Sequence, residues 1–248
     1  NSAIYSAIRK KLIDSFGGEV VIFIVGGAPM NQETEAFLLK IKFPITVGYG
    51  MTECAPLISF TTDDLFKAGS CGMYIKEYLD LRIDSPDPFK QVGEILTKGM
   101  NVMDGYYNNP EASNTVLSPD GWLHTGDLGV LDPDGYLYIK GRSKSLILGP
   151  SGQNIYPEEI EDLLNAQPYI AESLVIEREG KLVALVYPDA EAMKQNKISR
   201  EALLKIIHET RKQINQQIPA YSQIARIEIH DEEFEKTPKR SIKRFLYQ

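Results

Sequence analysis

The sequence predicts an α/β unit that leads into an antiparallel β subdomain, followed by a smaller α+β domain. The α/β unit is indicated by an unbroken apolar run, Val20–Val25, which precedes a helical pattern and a second apolar strand. Short alternating strands and turns from residue 69 to residue 140 predict the β subdomain. After Arg142 helical and strand patterns alternate again, so we divide the chain into parts over residues 1–142 and 143–248.

The first part is expected to open with an amphipathic helix over residues 2–15, because Ile4, Ile8 and Leu12 recur at four-residue spacing. The run Val20–Val25 has no polar face. Such a strand is normally buried on both sides in a parallel sheet, and we expect the same here.

A helix is expected to follow Asn31, and Pro44–Val47 is expected to form the second strand of a strand–helix–strand unit. Ligands bind at the carboxyl ends of such strands. Because two strands cannot bury both faces of a sheet, we expect the chain to begin inside a domain whose earlier part lies upstream. The alternative left open is that neighbouring β-segments complete the sheet.

The β subdomain is expected to contain a strand over Leu79–Ile83, where apolar and charged residues alternate. The segment Asp132-Pro133-Asp134-Gly135 has the composition of a hairpin turn. It would join a strand over Leu128–Leu131 to one over Tyr136–Lys140.

In the second part, Pro157 and the two glutamates after it predict the first turn of a helix. Proline suits the first helical position, and carboxylates are favourable near the positive end of the helix dipole. The pair Glu179-Gly180 is expected to form the turn of a β-hairpin, and Ser199 to cap a long helix. Alternation over residues 225–230 predicts a further strand.

Composition narrows the classes of function. Hydrophobic residues make up 43% of the chain, which is sufficient for a folded core, and the net charge of −7 argues against nucleic acid as a partner. Two cysteines without metal-ligand spacing favour a reduced, cytoplasmic protein. No apolar run approaches the length of a transmembrane segment, and the polar N-terminal stretch does not resemble a signal peptide.

The segment Tyr49-Gly50-Met51-Thr52-Glu53 directly follows the second strand and combines groups suited to a nucleotide. An aromatic ring can stack on a base, glycine allows the backbone to approach phosphate, a hydroxyl can bond phosphate, and a carboxylate can hold Mg²⁺. The same residue types also form ordinary turns at strand ends, and both interpretations stay open at this point.

Other candidates are equally ambiguous when they are taken singly. Asp127 can accept both hydroxyls of a ribose or simply stabilise a turn. Arg142 and Lys144 can contact phosphate or belong to a solvated linker. The turn Gly149–Gly152 can present backbone amides to an anion or a thiol, or merely connect two elements.

One ordered series of motifs is far more specific than its members. It consists of Gly27-Ala28-Pro29, Gly48–Glu53, Gly93-Glu94-Ile95, Gly105-Tyr106, Thr125-Gly126-Asp127, Gly141-Arg142 and Gly152–Glu161. Along essentially the whole chain the series resembles the adenylate-forming (AMP-binding) superfamily of acyl-CoA synthetases, adenylation domains and luciferases. Lys144–Ile147 and Lys236–Arg244 are most similar to long-chain fatty-acid–CoA ligases.

The resemblance implies that residues 1–142 are the C-terminal part of a large AMP-binding domain and that residues 143–248 are a small mobile domain. It also implies nucleotide contacts from Gly27, Ala28 and Pro29 along the adenine, Tyr49 stacked on it, Asp127 on the ribose hydroxyls, Ile139 against the nucleotide, and Arg142 at ribose and phosphate.

Four further roles follow from the same resemblance. Thr52 would bond phosphate and Glu53 would coordinate Mg²⁺. Lys144 falls at the hinge about which the family's small domain rotates between two half-reactions. Gly152 falls in the loop that faces the pantetheine channel.

The implied activity is that of an ATP-dependent fatty-acid–CoA ligase that uses ATP or AMP, Mg²⁺ and coenzyme A. The enzyme would adenylate a fatty acid and then transfer the acyl group to coenzyme A. A substrate of this kind also allows peripheral association with a membrane. The alternatives left open are a non-catalytic or truncated nucleotide-binding fragment and acyl transfer to a carrier-protein thiol.

The chain departs from the family pattern at two points. The family's Ser/Thr/Gly-rich phosphate loop is absent and would lie upstream of Asn1. Ser241 occupies the place of the family's catalytic lysine, directly before Ile242-Lys243-Arg244. Lys239, Arg240 and Lys243 are the candidate substitute cations.

Overall fold

The structure is a computed structural model that describes residues 2–27, 30–238 and 240–248. The chain divides into two compact units, Asn1–Ser143 and Lys144–Gln248. The division lies next to the boundary that we expected from the sequence. The assignment of the units to a large-domain part and a small mobile domain stays a prediction.

The first unit starts with two helices and a two-stranded sheet. Helix α1 spans Ser2–Ser15, strand β1 Phe23–Val25, helix α2 Gln32–Lys40 and strand β2 Ile45–Val47. The strands pair in parallel, as predicted. Asn31 caps α2, because its side chain accepts a hydrogen bond of 3.0 Å from the amide of Thr34.

The expectation of a first strand buried on both sides is wrong. Only Phe23–Val25 is strand, Val21 is 86% exposed, and Ile24 is 48% exposed. Side chains alternate along a strand, so Phe23 and Val25 pack into the helix-side cluster of Ile41, Phe43 and Ile45, whereas Ile24 points to the other face. Among the described residues, β2 is the one strand paired with β1, and the neighbouring β-segments form a separate sheet.

The β subdomain follows and consists of two antiparallel sheets. Its elements are β3 (Tyr49–Gly50), a 3-10 helix (Thr52–Cys54), β4 (Leu57–Phe60), β5 (Met73–Tyr74), β6 (Leu79–Asp84), β7 (Gly93–Gly99), α3 (Pro110–Val116), β8 (Leu123–Leu131) and β9 (Leu137–Arg142). Strands β6 to β9 form a four-stranded meander. The predicted turn joins β8 to β9, with the Asp132 carboxylate accepting from the amides of Asp134 and Tyr136 at 3.0 Å.

The second unit is an α+β fold around one three-stranded sheet. Its elements are a 3-10 turn (Ser143–Ser145), β10 (Ile147–Leu148), β11 (Asn154–Ile155), α4 (Pro157–Asn165), β12 (Ile170–Arg178), β13 (Lys181–Pro188), α5 (Ala190–Gln195), α6 (Arg200–Gln217), a 3-10 turn (Ala220–Ser222), β14 (Ile224–Ile229) and a 3-10 turn (Arg244–Leu246). The hairpin β12–β13 was predicted, and so was the Ser199 cap of α6, which accepts from the amide of Ala202 at 3.2 Å. Strand β14 runs parallel to β13, because α6 carries the chain back across the sheet.

In the part of the chain that the structure describes, no helix has both the length and the apolar character that a membrane crossing requires.

Candidate nucleotide-binding site

The carboxyl ends of β1 and β2 lie side by side, because the strands are parallel and in register. The amide of Gly48 donates to the carbonyl of Val25 at 2.9 Å. Gly27 has φ +87°, and among the described residues other than its chain neighbours no atom lies within 4 Å of the place that a side chain would take. Gly27 and Tyr49 therefore lie at one edge of the sheet. The predicted adenine contacts Ala28 and Pro29 lie outside the described residues.

Tyr49 links this edge to the meander. Its hydroxyl donates to Oδ2 of Asp127 at 2.8 Å, and its ring packs in the same apolar cluster as Ile139. Burial, and then the negative charge of Asp127, raises the pKa of the Tyr49 phenol well above its ordinary value. The phenol therefore stays a hydrogen-bond donor at neutral pH and orients the carboxylate.

Asp127 is 7% exposed and lies on β8 opposite Arg142 on β9. The Nε atom of Arg142 lies 3.1 Å from Oδ1 of Asp127, while the rest of this arginine is exposed. A carboxylate offers about four lone-pair sites, and the hydroxyls of a ribose are donors of the kind that such sites accept. The structure thus brings together three of the predicted residues, Tyr49, Asp127 and Arg142.

Glu94 holds the bend that aims Asp127. Its Oε1 accepts from the amide of Gly126 at 2.9 Å, and its Oε2 lies 2.9 Å from Nδ1 of His124. Gly126 needs its freedom of conformation, because φ is +72° there. Glu94 was not among the predicted site residues, although it belongs to the Gly93-Glu94 motif of the series.

Thr52 and Glu53 follow on the 3-10 helix after β3. The Thr52 side chain is exposed and Glu53 is half-buried. Gly50 has a structural reason to be glycine, since a side chain there would meet the carbonyl of Pro56 at 2.0 Å. That close contact is enough to explain why residue 50 is glycine, without reference to a ligand.

Glu53 accepts a hydrogen bond of 2.9 Å on Oε1 from the hydroxyl of Tyr106. Burial, followed by this bond and the charge of Glu53, raises the pKa of Tyr106. Tyr106 was also not among the predicted site residues. The signal that was available is the Gly105-Tyr106 pair, which stands in the motif series without an assigned role.

The chemistry of these groups fits Mg²⁺ carried by a nucleotide. Within the described residues, no group of three or more His, Cys, Asp or Glu side chains is arranged to hold a metal ion. Mg²⁺ usually takes one or two protein carboxylates and completes its shell with water and substrate phosphates. Glu53 supplies one such carboxylate beside the exposed hydroxyl of Thr52.

Two predicted residues belong to the second unit. Lys144 is exposed within the 3-10 turn Ser143–Ser145. Gly152 lies in the turn between β10 and β11 at φ +79°, with its amide donating to the carbonyl of Gly149 at 2.9 Å. In the part of the chain that the structure describes, no atom other than those of its chain neighbours lies within 4 Å of a side chain placed at Gly152, so the space beside this glycine is open.

Ser241 lies on a tight exposed turn of the basic tail. The amide of Thr237 donates to the carbonyl of Ser241 at 2.9 Å, and Arg240 has φ +62°, which is unusual for a residue other than glycine. Lys243 is engaged with Glu235 at 3.2 Å. Of the candidate substitute cations, Lys239 lies outside the described residues.

Comparisons with known proteins agree with these motifs. A family model described as AMP-binding enzyme matches residues 3–107, and a model described as AMP-binding enzyme C-terminal domain matches residues 144–247. A 4-coumarate–CoA ligase of Narcissus pseudonarcissus is 34% identical over 216 residues, which are 79% of this chain and 37% of the relative. A long-chain-fatty-acid–CoA ligase of Escherichia coli is 40% identical over 152 residues, 59% of this chain and 27% of the relative.

Among solved structures, an O-succinylbenzoate coenzyme A synthetase of Bacillus subtilis in complex with AMP has a TM-score of 0.74 at 26% identity. The match covers 96% of this chain and 49% of that one. The same synthetase has been solved with ATP and a magnesium ion. The fold is therefore that of adenylate-forming enzymes, as predicted, and the chain spans about half the length of this structure and about a third of the first curated relative.

Proposed function

The chain belongs to the AMP-binding enzyme family, and from this premise we propose that it is part of an ATP-dependent acid–CoA ligase. The observation that carries the proposal is the Asp127 carboxylate, which Tyr49 and Arg142 orient beside the carboxyl ends of β1 and β2. A buried, doubly held carboxylate at such a strand end suits the hydroxyls of a ribose.

In the first half-reaction, a carboxylate oxygen of the acid attacks the α-phosphorus of ATP. The bond from that phosphorus to the bridging oxygen breaks, which gives acyl-AMP and pyrophosphate. Asp127 holds the ribose, Arg142 offers its exposed guanidinium to phosphate, and Thr52 offers a hydroxyl. Glu53 would hold Mg²⁺, which neutralises charge on the phosphates when it is bound.

In the second half-reaction, the sulfur of coenzyme A attacks the acyl carbonyl. The carbon–oxygen bond to AMP breaks, AMP leaves, and the thiol proton passes to solvent. We assign Gly152 to the loop beside the thiol-bearing arm, because this glycine carries no side chain that would exclude the arm. We assign Lys144 to the hinge between the half-reactions, since it lies in a single exposed 3-10 turn.

We further propose a long-chain fatty acid as the acid. The support is the similarity of Lys144–Ile147 and Lys236–Arg244 to long-chain ligases, together with the relative from Escherichia coli. The relatives that act on coumarate and succinylbenzoate define the competing substrates.

The test is to incubate the protein with MgATP and palmitate, 4-coumarate or 2-succinylbenzoate, and to measure pyrophosphate release. Coenzyme A is then added and thioester is measured. We expect acid-dependent release that is largest with palmitate. Equal or larger release with an aromatic acid would overturn the fatty-acid assignment. Failure to bind ATP or AMP in calorimetry would overturn the proposed function.

A second candidate is a nucleotide-binding protein that does not adenylate, and Ser241 favours it. Serine lacks the cation that would neutralise the substrate carboxylate and α-phosphate. If this serine limits adenylation, Ser241→Lys should raise pyrophosphate release above wild type, while AMP affinity stays unchanged. Binding of AMP with no release in either protein would select the second candidate.

The hinge assignment has its own test. Lys144→Pro fixes φ in the turn and should slow thioester formation far more than pyrophosphate release. Lys140→Pro is unsuitable as a control because Lys140 lies within β9. Lys144→Ala is the control instead. An equal loss of both steps in Lys144→Pro would contradict the hinge role.

A further inference from the structure

We propose that Tyr106 is a positioning residue that fixes the Glu53 carboxylate for the Mg²⁺ that accompanies ATP. This inference rests on the proposed function, since it concerns a residue of the same site. Its basis is the hydrogen bond of 2.9 Å from the Tyr106 hydroxyl to Oε1 of Glu53, across 53 positions of sequence.

The backbone of Tyr106 is itself held firmly. Its amide donates to the Ser113 hydroxyl at 2.8 Å, and that hydroxyl donates to the carbonyl of Asn109 at 2.8 Å. Asn109 also caps α3 by accepting from the amide of Ala112 at 3.0 Å. Gly105 is required here, because a side chain would lie 2.9 Å from the Ser113 hydroxyl oxygen. The start of α3 therefore fixes the position of the Tyr106 backbone.

The same loop is joined to the 3-10 helix of Glu53 at two further places. The amide of Met103 donates to the carbonyl of Glu53 at 2.8 Å. The side-chain amide of Asn101 donates to the carbonyls of Cys54 at 2.9 Å and Leu57 at 3.1 Å. Hydrogen bonds join the backbone near Tyr106 to the backbone near Glu53. The Tyr106 phenol is therefore held in a fixed position and restrains the Glu53 carboxylate.

The bond has a specific consequence for metal binding. A free glutamate side chain samples several rotamers, and ordering it on binding costs free energy. The Tyr106 phenol occupies one carboxylate oxygen and leaves Oε2 to meet the cation. Partners of this kind orient a metal ligand, and their removal weakens metal affinity although the ligand stays in place.

The same device appears at the ribose carboxylate, where the Tyr49 hydroxyl holds Oδ2 of Asp127. The two phenols differ in depth, since Tyr49 is half-buried and Tyr106 is 37% exposed. Because the Tyr106 ring is partly exposed, we expect Tyr106→Phe to remove the hydroxyl and to leave the packing of the ring unchanged. Tyr107, which is 94% exposed, provides a matched control on the next residue.

The experiment compares ATP binding by calorimetry in excess Mg²⁺ and in EDTA, for wild type, Tyr106→Phe, Tyr107→Phe and Glu53→Gln. The measured quantity is the ratio of the two dissociation constants, which is the gain in ATP affinity due to the metal. We expect Tyr106→Phe to reduce this gain about three- to tenfold, the range for the net contribution of one typical hydrogen bond. Tyr107→Phe should keep the wild-type gain, and Glu53→Gln should lose most of it.

AMP affinity in EDTA serves as the structural control and should be the same in wild type, Tyr106→Phe and Tyr107→Phe. A lower AMP affinity in Tyr106→Phe would mean that the hydroxyl supports the site as a whole, and would overturn the positioning role. The inference also fails if Tyr106→Phe and Tyr107→Phe show equal metal gains. Wild-type protein that binds neither nucleotide contradicts the proposed function itself, which is a distinguishable result.

Discussion

The two units bury their apolar residues in different ways. In the second unit both faces of one sheet are covered: Val175, Ala184 and Val186 pack against the helices, and Leu174 and Val183 pack on the side of the C-terminal tail. The first unit instead has three small clusters, one beside the parallel strands β1 and β2 and two that share strand β6 of the meander. Buried apolar side chains thus cover the two faces of one sheet in the second unit and are divided among several sheets in the first.

This difference explains where the candidate site lies. Tyr49 packs against two of the small clusters, and its hydroxyl reaches Asp127. A site residue at the junction of small clusters is held by several elements while its polar end bonds another site residue. The second unit has no such junction within its described core, and its predicted residues Lys144 and Gly152 lie in exposed turns.

The largest effect is expected at Arg244, which secures the tail to the core of the second unit. It donates to the buried Glu161 carboxylate and, at 3.2 Å, to the carbonyl of Val175. Arg244→Met leaves Glu161 without its cation and should lower the free energy of unfolding by about 3–5 kcal/mol. Lys243→Met is the matched control, because its ion pair with Glu235 is near the surface and should contribute about 0–1 kcal/mol.

The loss of stability in Arg244→Met should also depend on pH. Burial raises the pKa of Glu161 to about 7, against the opposing influence of Arg244 and the amide of Val175. Without Arg244 this pKa rises further, and a raised carboxylate pKa means that stability is present in acid and is lost as pH rises through it. Arg244→Met should therefore lose more stability at about pH 8 than at about pH 5. Chemical denaturation followed by circular dichroism measures the free energy of unfolding at both pH values. A loss of stability that is independent of pH would contradict this account.

A pair of core truncations sharpens the comparison between the units. Ile45 on β2 and Ile176 on β12 are both buried, and both variants remove the same atoms. Ile176→Ala should cost about 4 kcal/mol and Ile45→Ala about 2 kcal/mol, because half-exposed neighbours in the first unit can close a cavity. The single tryptophan, Trp122, lies in the first unit, so its fluorescence should register Ile45→Ala but not Ile176→Ala. Equal costs would mean that the two cores are equally rigid.

A smaller effect, confined to ligand binding, is expected at Asp127. Asp127→Asn keeps the shape of the side chain but removes its charge, so AMP affinity should fall about tenfold in calorimetry. Asp120→Asn is the control, since Asp120 interacts with Ser118 at an exposed turn. Unchanged AMP affinity in Asp127→Asn would remove the ribose assignment.

The smallest effects concern one helix cap in each unit. Asn31→Ala and Ser199→Ala each remove a side-chain acceptor from a helix N-terminus and should cost about 1 kcal/mol. Thermal unfolding followed by Trp122 fluorescence should detect the first and not the second. A fluorescence change in Ser199→Ala would show that the units unfold together.

Features that depend on residues close together in sequence could be predicted. The caps at Asn31 and Ser199, the hairpin turn at Asp132–Gly135 and the first turn at Pro157 all follow from local backbone preferences and short-range hydrogen bonds. The ordered motif series, read as a whole, identified the family. These features follow from the sequence itself and do not depend on tertiary packing.

Only the tertiary structure decided which side chains meet across long separations. The exposure of Ile24, the bond from Tyr49 to Asp127 across 78 positions, and the bond from Tyr106 to Glu53 across 53 positions depend on how sheets and loops pack. A strand pattern specifies alternation but not whether a second layer covers each face. A tyrosine in sequence likewise carries no sign of its hydrogen-bond acceptor, because that acceptor is supplied by a distant element that packing brings near.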